Sequence, residues 1–271
     1  VLADNIEGIE IPCGHESYED FIKNSAVMEE SLPGKNWRPH IYDEVLRLCT
    51  SGTTGLPKSV PVNDINEVMS AHDVIMHLGL RPTDVTLNLT PWFHRGGCHA
   101  GGMTPTFYCG ASLVVMRNFL PQKALQWVSE FGVSFFFGSC ANYNMLSRYR
   151  KSRGLELTNL RGIVSLGSGM SVDEYEDFSR NLCPNVYNGY GTTETFWNIL
   201  HLPELHEEGK GGRGKCCYGD EVRVVKIHED RHGEPEETVP QDGQTLGEVI
   251  ISSPGKASLA YISSPEESER K

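Results

Sequence analysis

Thr50-Ser51-Gly52-Thr53-Thr54-Gly55-Leu56-Pro57-Lys58 lies between two stretches that read as extended, Asp43 to Cys49 and Val60 to Val62. Small residues let backbone N–H groups approach phosphate oxygens closely. Hydroxyls add donors, and the lysine adds a movable positive charge. A solvated surface turn is the plain alternative. Order, length and lysine placement separate this stretch from an arbitrary Ser/Thr/Gly run. A P-loop of the form G-x-x-x-x-G-K-[ST] is excluded, because Pro57 stands where that loop needs glycine and removes a backbone donor there.

Outward from this loop the pattern alternates. Asn63 to Leu80 has helical spacing, with Ile65, Val68, Met69, Val74 and Leu78 on related faces. Val85 to Thr90 reads as a strand and Arg95 to Gly102 as a Gly-rich turn. Strands are predicted over 111–116, 133–137, 162–166 and 186–190. Helices are predicted over 121–131, 142–149 and 172–180, the last opened by Ser171 with Glu174 three residues on. This alternation predicts an α/β fold with mixed, largely parallel sheet layers. Residues 206–215 are charged and Gly-rich and read as a mobile loop. Strands at 221–227 and 248–252, joined by an acidic Pro-containing connection, predict a small β-rich lobe toward the C-terminus. Before about Asn36 the chain is polar and irregular, with the cap and first turn of a short helix expected over Ser17 to Phe21. Pro265 to Lys271 looks like the start of a helix.

A net charge of −12 repels phosphate backbones and argues against general nucleic-acid binding. No apolar run is long enough to span a membrane. No basic, then apolar, leader is visible, and the absence of an initiating Met suggests processing or a cut. The eight cysteines show no C-x-x-C spacing. The adjacent Cys216 and Cys217 suit neither zinc nor an ordinary disulfide. Scattered thiols predict a reducing, cytoplasmic setting.

The stretch Leu48 to Val60 resembles the phosphate-loop signature of the adenylate-forming superfamily. That superfamily holds acyl- and aryl-CoA synthetases, adenylation domains of peptide synthetases and beetle luciferases. Ser59 stands where the family usually has glycine. Tyr187-Asn188-Gly189-Tyr190-Gly191-Thr192-Thr193-Glu194 resembles the second signature. The resemblance implies that Thr50, Ser51, Gly52, Thr53, Thr54, Gly55 and Lys58 hold the ATP phosphates. It implies that Asn188, Gly189, Tyr190, Gly191, Thr192 and Thr193 complete the nucleotide site. Tyr190 would lie against the adenine, Thr193 would reach the α-phosphate and Glu194 would hold Mg²⁺. An aromatic face suits a purine, and a carboxylate suits a hard cation.

Pro91-Trp92-Phe93-His94-Arg95-Gly96-Gly97 resembles the family's acyl-pocket segment. His94, Gly96 and Gly97 would then face the acid, together with Gly167, Ser168 and Gly169, whose match is loose and equally fits a plain strand–helix turn. His94 has two other readings: a satisfied core histidine, or a metal cluster with Cys98 and His99. Gly247 to Ile251 and Leu259 to Ser268 resemble a later segment read as structural, with Ala260 where glycine is usual. By this resemblance Thr193, Glu194, Lys58 and His94 are the catalytic set.

The implied chemistry is ATP-dependent activation of a carboxylic acid as acyl-AMP, followed by transfer to coenzyme A. ATP, Mg²⁺ and CoA are the implied cofactors and cosubstrates, and a homo-oligomer is left open. Amino-acid adenylation domains usually carry an Asp after a Phe near this segment, where this chain has Phe93-His94, so an acid–CoA ligase is favoured. The alternatives are an adenylation domain that loads a carrier protein, a luciferase-like oxidation, and a non-catalytic nucleotide- or acyl-binding module. The resemblance assigns 1–200 to the nucleotide- and acyl-binding α/β region and 201–271 to the β-rich lobe of one large domain. It implies a ribose-binding Asp and a lysine-bearing C-terminal domain after Lys271, so these residues alone are expected to be inactive.

Overall fold

The computed structural model describes residues 2–3, 16–17, 20, 22–23, 38–50, 57–206, 214–258, 260–262 and 265–269. The chain separates into two compact units, Val1–His40 and Ile41–Lys271. In the first, β1 (Leu2–Ala3) pairs in parallel with β2 (Glu16–Ser17). Ser17 is extended, the backbone a helix cap takes, and Asp20, Ile22 and Lys23 are helical; Tyr18, Glu19 and Phe21 of that prediction lie outside the described residues.

The second unit begins with an antiparallel pair, β3 (Glu44–Thr50) and β4 (Lys58–Asn63), in which Thr50 faces Lys58. Helix α1 (Asp64–Leu78) follows at once. Asn63 caps it by accepting from the Asn66 N–H at 3.1 Å, while the Asn66 side chain accepts from the Asn63 N–H at 3.2 Å. Both orphan donors are thereby satisfied.

The main sheet has seven strands. They are β5 (Val85–Asn88), β6 (Ser112–Val114), β7 (Phe135–Gly138), β8 (Gly162–Leu166), β9 (Val186–Thr192), β10 (Phe196–His201) and β11 (Lys215–Cys216). Their order is β6-β5-β7-β8-β9-β10-β11, parallel through β9 and antiparallel beyond it. The parallel crossovers carry α2 (Met103–Cys109), α3 (Pro121–Glu130), α4 (Cys140–Arg153) and α5 (Val172–Asn181). The period-2 pleat of the central strand explains its run of three phenylalanines. Phe135 and Phe137 pack with Val74 and Leu78 of α1, and Phe136 packs with Leu125, Tyr143, Leu146 and Phe178 of α3, α4 and α5. Beyond the sheet, β12 (Glu221–Val225) and β13 (Glu248–Ser252) pair antiparallel, and a last turn of helix, α6, spans Pro265–Glu269.

Three local expectations change. The Gly-rich stretch 95–102 is not a plain turn: Gly96–Ala100 forms a π-helical turn that leads into α2. Gly97, His99 and Ala100 are buried in it, and Gly101, which ends it, has no room for a side chain, since a Cβ there would sit 2.1 Å from the Phe137 ring. The helix predicted from residue 142 starts at Cys140, capped by Ser139, and runs to Arg153. Strand β10 is not anticipated by the sequence reading. Residues 207–213 of the expected mobile loop lie outside the described residues, among which no helix is long and apolar enough to cross a membrane.

Candidate functional site

The segment after β5 and the ends of β8 and β9 converge on a cleft of about 450 Å³. Its lining runs Thr90, Pro91, His94, Arg95, Gly96 and Gly97 from the first, Leu166 and Gly167 from the second, and Gly189, Gly191, Thr192 and Thr193 from the third. Phe196 and Trp197 of β10 close it. It lies at the carboxyl ends of parallel strands, where open α/β sheets place their ligands.

The β9–β10 hairpin explains why this tip holds its shape. Gly191 pairs with Trp197, and a Cβ on Gly191 would fall 1.7 Å from the Phe196 carbonyl oxygen. The Thr192 hydroxyl accepts from the Thr195 N–H at 3.2 Å, and Thr195 Oγ1 donates to Asn198 Oδ1 at 2.6 Å. Phe196 is buried and takes φ +61°, a region that non-glycine residues seldom occupy without constraint from the surroundings. Thr193 and Glu194 stand in the turn itself.

Arg95 ties this turn to the rest of the cleft. It is buried, and its guanidinium donates to the carbonyls of Thr193 and Lys256, both at 2.7 Å. It also lies over the Phe196 ring, 5.7 Å from the centroid. Burial lowers its pKa to about 10, against the pull of Glu67 and Glu194. Beneath it, buried His99 contacts Glu67 through Nε2 and the Arg95 carbonyl through Nδ1, and Thr104 Oγ1 donates to Glu67 at 2.8 Å.

Burial works to raise the Glu67 carboxyl, but His99, Thr104 and Arg95 together outweigh it and hold the group below its ordinary value. A depressed native pKa gives stability that is full above the unfolded value of about 4.5 and is lost as pH falls through the native value. Glu67→Gln is expected to cost about 1–3 kcal/mol at neutral pH and to flatten the acid limb of the stability profile. Urea melts at neutral pH and in steps below the glutamate range check both; an unchanged acid limb would show that Glu67 does not carry it.

Glu194 is approached from the C-terminal side. The Tyr261 hydroxyl donates to its carboxylate at 2.5 Å, and the Ser258 N–H donates to its backbone carbonyl at 2.7 Å. Lys58 Nζ lies 5.1 Å from the centroid of the Tyr261 ring. Tyr261 thus bridges two predicted site residues, although its segment reads as structural in the sequence. An aromatic after an Ala-for-Gly change carries no signal of that role. Arg95 is likewise missed, because a cation beside two glycines looks solvated until its burial is seen.

Of the predicted residues, His94, Gly96, Gly97, Gly167, Gly189, Gly191, Thr192 and Thr193 share the cleft. Thr50 and Lys58 face each other at the open end of the β3–β4 pair, and Ser51, Gly52, Thr53, Thr54 and Gly55 lie outside the described residues. Tyr190 is exposed, and Asn188 carries a buried Oδ1 with no hydrogen-bond partner among the described residues. Ser168 and Gly169 are exposed next to Gly167, outside the lining. His94 is exposed against the Phe93 ring, 4.5 Å between centroids, which removes the core-histidine reading. The cluster of His94, Cys98 and His99 does not form either: His99 turns to Glu67, and Cys98 Sγ turns to the Trp92 carbonyl at 2.5 Å.

Residues 17–260 match the family model described as AMP-binding enzyme. An acyl-CoA synthetase of Alternaria alternata is 34% identical over 176 residues, which make up 65% of this chain and 30% of that protein. A long-chain-fatty-acid–CoA ligase of Thermus thermophilus is 31% identical over 223 residues, 76% of this chain and 38% of that protein. The chain thus spans well under half the length of these relatives. The o-succinylbenzoate–CoA synthetase of Bacillus subtilis in complex with AMP superposes with a TM-score of 0.76, over 94% of this chain and 49% of that one. At 20% identity that likeness is one of fold.

Proposed function

The chain belongs to the AMP-binding enzyme family, and from that premise we propose that the whole protein activates a carboxylic acid with ATP and passes the acyl group to coenzyme A. The observation that carries this reading is the meeting of two separate segments, Pro91–Gly97 and Gly189–Thr193, on one cleft. One segment suits an acid and the other a nucleotide, so the two reactants would be held side by side.

In this reading the acid's carboxylate attacks the α-phosphorus of ATP and pyrophosphate leaves. The CoA thiol then attacks the acyl carbon of the acyl-AMP and releases AMP. Catalysis of the first step is chiefly positioning and charge neutralisation. Thr193 serves the α-phosphate in this reading, and the Arg95 bond to its carbonyl steadies the turn. Lys58 and the loop from Thr50 to Gly55 serve the β- and γ-phosphates. Tyr190 offers an exposed ring to the adenine, and exposed His94 orients the carboxylate at the cleft's rim. Glu194 fits a Mg²⁺ ion, since it presents a half-buried carboxylate, a hard oxygen donor, next to Thr193. Mg²⁺ bound there would supply positive charge against the phosphates. By this reading residues 1–200 serve the nucleotide and acid and 201–271 form the β-rich lobe, with β11 of that span contributed to the main sheet; a cytoplasmic setting fits ATP and CoA as substrates.

The test is acid-dependent ATP–pyrophosphate exchange by the full-length protein against short, long, aromatic and polycyclic acids, followed by thioester detection with CoA and with a carrier protein. Exchange with at least one class and a CoA thioester are expected. No exchange with any class would sink the proposal.

A further inference from the structure

Asp73 and His77 lie one turn apart on α1, and Cys217 follows β11 directly. Their oxygen, nitrogen and sulfur ligand atoms all lie within 4.8 Å of one another. We propose that Asp73, His77 and Cys217 form a site for one thiophilic divalent cation, of the Zn²⁺ class, set apart from the nucleotide cleft. The two ends of the site come from elements far apart in sequence, so the ion would staple α1 to the edge of the main sheet.

Three observations point to it. First, the His77 side chain is only 7% exposed, and its Nε2 is buried with no hydrogen-bond partner among the described residues. Burying such an atom unpaired is costly. Second, that Nε2 stands 3.7 Å from Asp73 Oδ1. This is too long for a hydrogen bond. It matches the separation of roughly 3.3–3.8 Å expected between two ligands on one tetrahedral ion, given zinc distances of about 2.0–2.3 Å. Third, the local charge is incomplete. Lys256 takes the other oxygen of Asp73 and lies 2.8 Å from Asp220 Oδ2. Two buried carboxylates against one ammonium leave one net negative charge, which a divalent ion with a thiolate ligand would neutralise.

The donor set fits the ion. Zn²⁺ accepts carboxylate oxygen, imidazole nitrogen and thiolate sulfur together, and softer ligands steer against Mg²⁺ and Ca²⁺. Binding would release the Cys217 thiol proton to solvent and leave a fourth position for water. The Cys217 N–H is already fixed to the Asn198 carbonyl at 2.9 Å, so the sulfur is held in place. Access is short, because the exposed Tyr218 ring covers His77 at 4.4 Å between centroids.

The test uses the full chain stripped with chelator and titrated with Co²⁺ and with Zn²⁺. A thiolate-to-cobalt charge-transfer band is expected, saturating at about one equivalent, together with a rise in melting temperature with Zn²⁺. Cys217→Ser should abolish the band, His77→Gln should weaken cobalt affinity by about tenfold or more, and Cys216→Ser, at the exposed neighbour, should leave both unchanged. The proposal is overturned if the wild-type chain shows no band and no shift, as it would were His77 merely to carry a proton there. It is equally overturned if the band survives Cys217→Ser. Should Cys217→Ser fail to fold, the wild-type spectrum and the His77→Gln affinity decide between these results.

Discussion

Lys256→Met is expected to destabilise the fold by about 3–5 kcal/mol, the usual effect of removing one partner from a buried ion pair. The side chain of Lys256 is 3% exposed. Its ammonium contacts Asp73, lies 2.8 Å from Asp220 Oδ2 and donates to the Trp197 carbonyl at 2.6 Å. Methionine has similar length, so little cavity forms, and the loss is electrostatic. Burial already pushes the Asp73 carboxyl up, and Lys256 is the main force holding it back. Without Lys256, Asp220 keeps its Asn198 and Ser253 donors, but the two buried carboxylates lose the ammonium between them. In a chain of this size the change corresponds to a fall in melting temperature of roughly 10 °C. Adding Asp73→Asn to Lys256→Met should recover part of the loss, because it removes one of the stranded charges. Urea melts in chelated buffer measure both. A loss under about 1 kcal/mol would mean that the cluster does not depend on this ammonium.

Glu194→Ala is expected to lower acid-dependent ATP–pyrophosphate exchange by about 100- to 1000-fold, the range for removing one preorganised group that stabilises transition-state charge. The fold should barely notice. The carboxylate is half-buried in a turn whose shape is held by the Thr192–Thr195 bond and by the Ser258 N–H to the Glu194 backbone carbonyl, both of which alanine leaves intact. The two effects therefore separate cleanly: activity collapses while the urea midpoint stays. The exchange reaction should also need more Mg²⁺ in the variant. Tyr261→Phe keeps the ring under Lys58 and removes the hydroxyl, so about a tenfold loss is expected, the worth of one ordinary hydrogen bond. Glu194→Ala with unchanged exchange kinetics and Mg²⁺ dependence would remove Glu194 from the catalytic set.

Most of the fold was legible because its signals are local. The largely apolar run 162–166 marks a buried strand, and Ser171 with Glu174 marks a helix start that the structure closes with both reciprocal bonds. What escaped was set by distant neighbours. The Gly96–Ala100 turn is buried, and Gly101 at its end packs against Phe137, 36 residues further along the sequence. Strand β10 exists as an antiparallel partner to β9, and an alternation of only six residues, with Phe196 in an unusual backbone region, gives little periodicity to read.

The site divides in the same way. Sequence alone singled out the short motifs proposed to meet phosphate, adenine and acid, since such motifs are recognised by residue type and close spacing within a loop. It also fixed the family. Only the tertiary structure decided that Arg95 is buried and clamps the Thr193 carbonyl, that Tyr261 reaches Glu194, and that Asp73, His77, Cys217 and Lys256 gather in one place. The physical reason is range. A motif needs a few adjacent residues to be recognisable, whereas these buried charges owe their positions to partners from 59 to 183 residues away, and burial is a property of the packed chain.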